Sequence, residues 1–152
     1  MGLFDKLFSS STTTFTYEPQ SEQEAWIAIM YACIAVDGDV SDVEIDKLSQ
    51  LVVPKSIFIG RDIVQYYKTA MLAHKQVGSK ILIDNSVLKV NDNNKLTLFA
   101  IVMELLLADG VLGEKEKEIA EYLTNSLKLS AENAQKIVEI LLIKNKDNIA
   151  LN

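Results

Sequence analysis

The chain has 152 residues, of which 49% are hydrophobic, and its formal net charge at neutral pH is -6. This length suffices to bury one hydrophobic core but is short for two independent domains, so a single domain is expected. The acidic balance argues against nucleic acid as a partner, because phosphate binding needs a basic surface, and it favours cations as ligands.

The first eight residues carry apolar side chains at positions 3, 4, 7 and 8, which is the spacing of one helical face. Such a segment can rest on a membrane surface, dock on a partner, pack on its own domain or fray. A polar linker of serine and threonine follows at residues 9–14. We therefore assign residues 1–20 to an amphipathic segment and linker, residues 21–146 to a helical domain, and residues 147–152 to a tail.

No apolar stretch reaches the roughly 20 residues that a membrane-spanning helix requires. Cys33 is the single cysteine and cannot form an internal disulfide, and its apolar neighbours predict a buried thiol in a reduced compartment. The sequence thus predicts a cytoplasmic protein of unknown oligomeric state. Peripheral contact with the inner face of the membrane is left open.

Helical periodicity and end signals follow one another from residue 21 onward and predict an all-α fold of about seven helices. Ser21 with Glu24 and Ser41 with Glu44 match the capping box, in which hydroxyl and carboxylate satisfy each other's free backbone donors. Pro54 must end the second helix. The expected helices cover residues 21–36, 41–53, 60–76, 80–90, 95–108, 114–127 and 130–144, and residues 81–83 would equally suit a strand.

One pattern occurs twice, an Asp-Gly dipeptide followed by a glutamate, with an offset of 72 residues between residue 37 and residue 109. The first copy contains Asp37, Gly38 and Glu44, and the second contains Asp109, Gly110 and Glu116. Because an internal repeat constrains the whole architecture, we expect two copies of a unit made of a helix, an acidic turn and a second helix.

Each acidic turn carries only part of the ligand set that a cation site needs. In the frame of an EF-hand loop, Asp37 and Glu44 would be the fifth and twelfth positions, but Cys33 and Ala35 would occupy the first and third, so these turns are not EF-hands. What remains in each copy is a pair of carboxylates, with further acids nearby at Asp39, Asp42 and Glu114. Oxygen ligands without histidine or thiolate suit calcium, magnesium or manganese.

Turn formation and helix capping explain the same residues without a metal. Asp-Gly is a favoured turn dipeptide, and Glu44 and Glu116 occupy the third helical position, where a carboxylate caps the helix. Sequence alone leaves capping and capping combined with a weak cation site equally open.

Signatures of common enzyme classes are missing from the sequence. His74 is the only histidine and has no adjacent nucleophile, and there is neither a phosphate-binding glycine loop nor a Cys/His cluster for zinc. We therefore predict a non-enzymatic protein. A hydrolase that activates water on a carboxylate-bound metal is the least favoured of the three hypotheses.

The doubled motif, with an apolar, alanine-containing helix before each turn and a second helix after it, resembles the TerB or TerB-like family, which is named for tellurite resistance. The resemblance covers about residues 21–144, although residues 55–94 have no counterpart in the motif. It implies an all-helical bacterial fold with pseudo-twofold halves and a metal site formed by Asp37, Glu44, Asp109 and Glu116. It also implies a non-enzymatic role beside membrane proteins in stress or metal resistance, and related domains occur in DnaJ-type co-chaperones.

Overall fold

A computed structural model describes residues 16–149, and within that range all regular secondary structure is helical. The prediction of an all-α single domain is therefore confirmed. The amphipathic segment predicted at residues 1–8 and most of its linker lie outside the described residues. The helices are α1 Glu22–Ile34, α2 Asp42–Val52, α3 Ile63–Ser86, α4 Lys95–Leu106, α5 Glu114–Ser126 and α6 Ala131–Lys144, with 3-10 turns at Ala35–Asp37, Ser56–Phe58, Val87–Lys89 and Asp92–Asn94.

The third and fourth predicted helices are the two arms of α3. Gly78 interrupts the helix with φ 80° and ψ 175°, a backbone conformation that glycine adopts at little cost. Directly after the break, the Ser79 hydroxyl donates a hydrogen bond of 2.7 Å to the carbonyl oxygen of Ala32 in α1. Residues 81–83 are helical, so the alternative of a strand there is wrong, and residues 16–149 form six α-helices where about seven were expected.

The core is built around α1, in which ten of 13 residues are buried. Helix α3 packs along it, and α4 and α5 also contact it. Trp26 is 2% exposed and meets the ring of Phe58 edge-on, with 5.8 Å between the ring centroids. Because α1 is apolar on all sides, it can be stable only with other helices around it.

The helix ends follow the predicted signals, with one exception. Ser41 and Glu44 form the complete capping box, and α2 ends two residues before Pro54. At α1, however, the box is only half formed: the Ser21 hydroxyl accepts from the Glu24 N–H at 3.1 Å. The Glu24 carboxylate accepts instead from the Tyr17 hydroxyl at 2.7 Å, which draws it away from the backbone of Ser21.

The sequence repeat is reproduced in the helix boundaries on either side of each acidic turn. Helices α1 and α4 end at Ile34 and Leu106, and α2 and α5 begin at Asp42 and Glu114, so both pairs differ by 72 residues. The two turns therefore interrupt the helices at equivalent places.

Candidate cation site

One small pocket lies where the two acidic turns approach each other. It has a volume of about 110 Å³, and carboxylates from both sequence repeats line it, namely Glu44 from the first and Asp109 and Glu116 from the second. Apolar side chains form much of the remaining wall. These apolar residues are Ile34, Leu105, Leu106 and Ala108.

Helix capping fixes both glutamates. Glu44 Oε1 accepts from the Ser41 N–H at 3.0 Å and from the Ser41 hydroxyl at 3.1 Å. Glu116 Oε1 accepts from the Gly113 N–H at 3.0 Å, but Gly113 has no hydroxyl to complete the box. The capping function predicted for both residues is thus present, and in each case it uses Oε1.

The second acidic turn is held more firmly than the first. Asp109 Oδ1 accepts from the Val111 N–H at 3.0 Å, which stabilises the turn from within. Gly110 has φ 80°, and a Cβ placed on it would stand 2.6 Å from the carbonyl oxygen of Asn145 at the end of α6. In the first turn, Gly38 has φ 124° but an added Cβ would meet nothing within 4 Å.

The charges of the acids interact across the pocket. Burial raises the pKa of Glu116, the hydrogen bond from Gly113 opposes that rise, and the negative charges of Asp37, Asp109 and Glu44 raise the pKa further. Asp37 is therefore close enough to be felt by Glu116, although its own side chain is exposed and does not line the pocket.

A lysine shares the pocket with the acids. Lys47 lines it together with Glu44, and its charge also reaches Glu104 in α4. Burial of Glu104 alone would raise the pKa of that carboxyl, but hydrogen bonds from Lys144 and Asn145 and the charges of Lys144 and Lys47 hold it below its usual value. Lys47 therefore places a positive charge beside the acids of the pocket.

The remaining predicted acids do not join the pocket. Asp39 is exposed on the first turn and Asp42 is exposed at the start of α2, and Glu114 faces a separate depression formed with side chains of its own helix. Between residues 16 and 149, no three Asp, Glu, His or Cys side chains are arranged so that they could hold a metal ion. The turns thus bring three candidate ligands to one place without placing them in a ligand arrangement.

Glu116→Gln is expected to raise the melting temperature at pH 7. The raised pKa of Glu116 means that the folded protein favours its protonated form, so ionisation costs stability as pH rises through the folded-state pKa. Glutamine imitates the protonated form and can still accept the Gly113 N–H. The gain should disappear at acidic pH, where wild-type Glu116 is also neutral. Melting curves between pH 3 and 8 would measure it.

Glu114→Gln provides the matched control, because Glu114 is exposed in the first turn of the same helix. Its substitution should leave stability unchanged or lower it slightly, since a negative charge near a helix start is favourable. A loss of stability in Glu116→Gln at pH 7 would contradict a destabilising effect of the Glu116 charge.

His74 packs against Tyr31 in α1 and lies beside the break in α3. It is half-buried, its Nε2 lies 3.0 Å from the Ser79 hydroxyl, and its ring meets the Tyr31 ring edge-on with 5.4 Å between centroids. Burial lowers the pKa of the imidazole. Since the Ser79 hydroxyl donates to Ala32, it accepts from Nε2–H, and the histidine helps to fix the break in α3.

These features define a class: a helical domain in which two helix, acidic turn, helix units bring their carboxylates to one pocket. Comparison with protein families matches residues 23–139 to the family described as Tellurite resistance protein TerB. The match includes residues 55–94, for which the motif alone has no counterpart. The chain belongs to the TerB family.

No curated protein and no solved structure matched the chain. Within residues 16–149, none of the helices combines the length and apolarity that crossing a membrane would require.

Proposed function

We propose that this TerB-family protein is a non-enzymatic helical module that binds a divalent cation weakly at the acidic pocket and docks on a protein partner near the membrane. The observation that carries the cation proposal is the convergence of Glu44, Asp109 and Glu116 on one pocket. A divalent ion placed there would offset the burial and the repulsion that together raise the pKa of Glu116.

The oxygen-only donor set suits calcium, magnesium or manganese. The capping bonds engage Oε1 of Glu44 and of Glu116, and among the described residues no hydrogen bond involves Oε2 of either side chain. Each glutamate could thus cap its helix and coordinate an ion at once. Asp109 and, after rotation of its exposed side chain, Asp37 would supply the remaining carboxylates.

Weak affinity follows from two features of the pocket. The acids need side-chain rotation before they can coordinate one ion, because they do not form a ligand group as they stand. The Lys47 ammonium already contributes positive charge, and a cation must compete with it. Waters would complete the coordination, which is usual for magnesium.

Thermal unfolding with added calcium, magnesium or manganese tests the proposal. A ligand at 100 times its dissociation constant stabilises the folded state by about 2.7 kcal/mol, which corresponds to roughly 5–10 °C for a chain of this size. In the Asp37→Asn/Asp109→Asn double variant the shift should be lost, because asparagine keeps the turn geometry but removes two charges.

A matched double variant, Asp46→Asn/Glu132→Gln, changes the net charge equally at exposed positions outside the pocket. It should keep the wild-type shift. An absent shift in the wild type, or equal shifts in all three proteins, would refute cation binding at this pocket.

The second candidate function is a protein-interaction domain whose acids only cap helices. The hydrogen bonds of Glu44, Glu116 and Asp109 to backbone N–H groups favour it, since each acid has a structural role. This function predicts no metal-dependent stabilisation, so the same titration decides between the two. A metal-dependent hydrolase, the third hypothesis, would be revived by phosphoesterase turnover that disappears in the double variant.

Two exposed isoleucines on α6 support docking on a protein partner. Ile140 and Ile143 are 63% and 77% exposed, and Ala134 is the buried residue of this helix. A cytoplasmic location at the inner face of the membrane, and a role in tellurite or metal stress, follow from the family and belong to this proposal. Mass spectrometry of a tagged copy recovered from native membranes would identify the partner.

A further inference from the structure

We infer that the groove between α4, α5 and α6 is the binding site for the apolar side chains of residues 1–8 of the same chain. The groove has a volume of about 650 Å³. Its apolar lining includes Phe99 and Met103 from α4, Ala120 from α5, and Ala134 and Val138 from α6. It is thus a long apolar depression along a helix pair, a shape that accepts an amphipathic segment.

The segment has the matching chemistry. Leu3, Phe4, Leu7 and Phe8 recur at the spacing of one helical face, while Asp5 and Lys6 fall between them. The groove rim likewise carries both signs of charge, from Lys117, Glu121 and Glu139. The apolar side of the segment is therefore suited to the apolar floor of the groove. The polar side of the segment, which is nearly neutral, is suited to a groove rim that carries both signs of charge.

The described chain begins at the same end of the helix bundle as the one that the groove reaches. Glu22, at the start of α1, accepts from the Asn91 N–H at 3.1 Å and from the Asn94 amide at 2.8 Å, just before α4 begins. The charge of Lys128, in the loop from α5 to α6, reaches Asp92 at the same end. The groove reaches this end too, since Asn125 and Ala131 line it on either side of that loop.

The linker is longer than the groove. Residues 9–16 can extend over at most about 28 Å, whereas the groove runs along α5 from Lys117 to Asn125, about 12 Å of helix. A short tether also gives a high effective concentration, in the millimolar range for flexible linkers, so modest intrinsic affinity suffices for intramolecular binding.

A spin label at Ser9→Cys tests the inference on the full chain. Cys33 does not compete for the label, because it is fully buried and burial raises the pKa of its thiol to about 12. Amide signals of groove residues, such as Ala120, Thr124 and Val138, should broaden relative to the same sample with a reduced label. Labelled, isotope-free protein mixed with unlabelled, isotope-enriched protein should produce no broadening.

Leu7→Asp in the labelled chain should remove the broadening, because a charge then replaces one of the four apolar side chains. Ser10→Asp is the matched control, which adds the same charge in the linker and should keep it. The inference is overturned by broadening on another face, by broadening that survives Leu7→Asp, or by none. Broadening in the mixed sample would assign the groove to a second copy, and broadening that requires anionic vesicles would assign the segment to the membrane; either result also overturns it.

Discussion

Gly110→Ala is expected to destabilise the protein by about 2–4 kcal/mol, which combines a strained backbone with a steric clash. Gly110 has φ 80°, a region that residues with a Cβ rarely occupy. The added Cβ would also stand 2.6 Å from the carbonyl oxygen of Asn145 and 3.5 Å from the Cα of Lys146, so the end of α6 would have to move. Urea denaturation followed by circular dichroism would measure the loss.

Gly38→Ala separates the effect of the strained backbone from that of the steric clash. Gly38 also has positive φ, at 124°, but its Cβ would meet no atom within 4 Å. The variant should therefore lose only the backbone contribution, about 1–2 kcal/mol. Equal losses in the two variants would show that the end of α6 does not restrict the second acidic turn.

Asn145→Asp is the second substitution for which we expect a large effect, a loss of about 2–4 kcal/mol at pH 7. Asn145 is 2% exposed, and its amide nitrogen donates to Glu104 Oε2 at 3.1 Å while its oxygen accepts from Asn148 at 3.0 Å. Aspartate would remove the donor and place a second carboxylate against Glu104. Lys144, at 2.7 Å from Glu104, would offset only part of the repulsion.

The loss should depend on pH in a defined direction. The lowered pKa of Glu104 means that its ionised form stabilises the wild-type fold, and this contribution is lost as pH falls through the folded-state pKa. In Asn145→Asp the two carboxylates repel each other, and protonation of either relieves the repulsion. The difference between variant and wild type should therefore shrink at acidic pH.

Asn148→Asp is the control for this variant. Asn148 is exposed, although its amide donates to the Ala108 carbonyl oxygen at 3.0 Å and to Asn145 Oδ1 at 3.0 Å. We expect a loss of about 1 kcal/mol, because exposed groups regain hydrogen bonds to water when these two bonds are lost. Equal losses at positions 145 and 148 would contradict the importance of the buried contact with Glu104.

Local chemistry made most helix ends predictable. The Ser41 and Glu44 capping box, the Ser130 cap of α6 and the stop before Pro54 all depend on residues adjacent to the helix end. The break at Gly78 was also visible, because glycine weakens a helix wherever it stands. Whether the chain turns away there or continues as a broken helix depends on packing against α1, which local sequence does not contain.

Tertiary contacts account for what sequence reasoning missed. Tyr17 captures the Glu24 carboxylate from outside the helix, so the reciprocal capping bond at Ser21 does not form. The network of Glu104, Lys144 and Asn145 joins residues about 40 positions apart, and no motif marks it. The groove along α5 is likewise a product of three helices. None of these features has a signal within a window of one helix.

The candidate site was likewise only partly predictable from the sequence. Its acids could be selected from the sequence because they recur at a fixed offset next to a turn glycine. Their convergence on one pocket, the exclusion of Asp39, Asp42 and Glu114, and the presence of Lys47 required the fold. Metal binding itself stays a prediction until it is titrated.

The burial of α1 has a consequence for synthesis of the protein in the cell. Helix α1 leaves the ribosome before its main packing partner, and the last residue of α3 is translated 52 positions after the last residue of α1. At about 5–20 residues per second this interval lasts a few seconds. During that time an apolar segment, with no charged residue between Ala25 and Val36, lacks the surfaces that later enclose it. The nascent chain therefore exposes this apolar surface until α3 folds against α1.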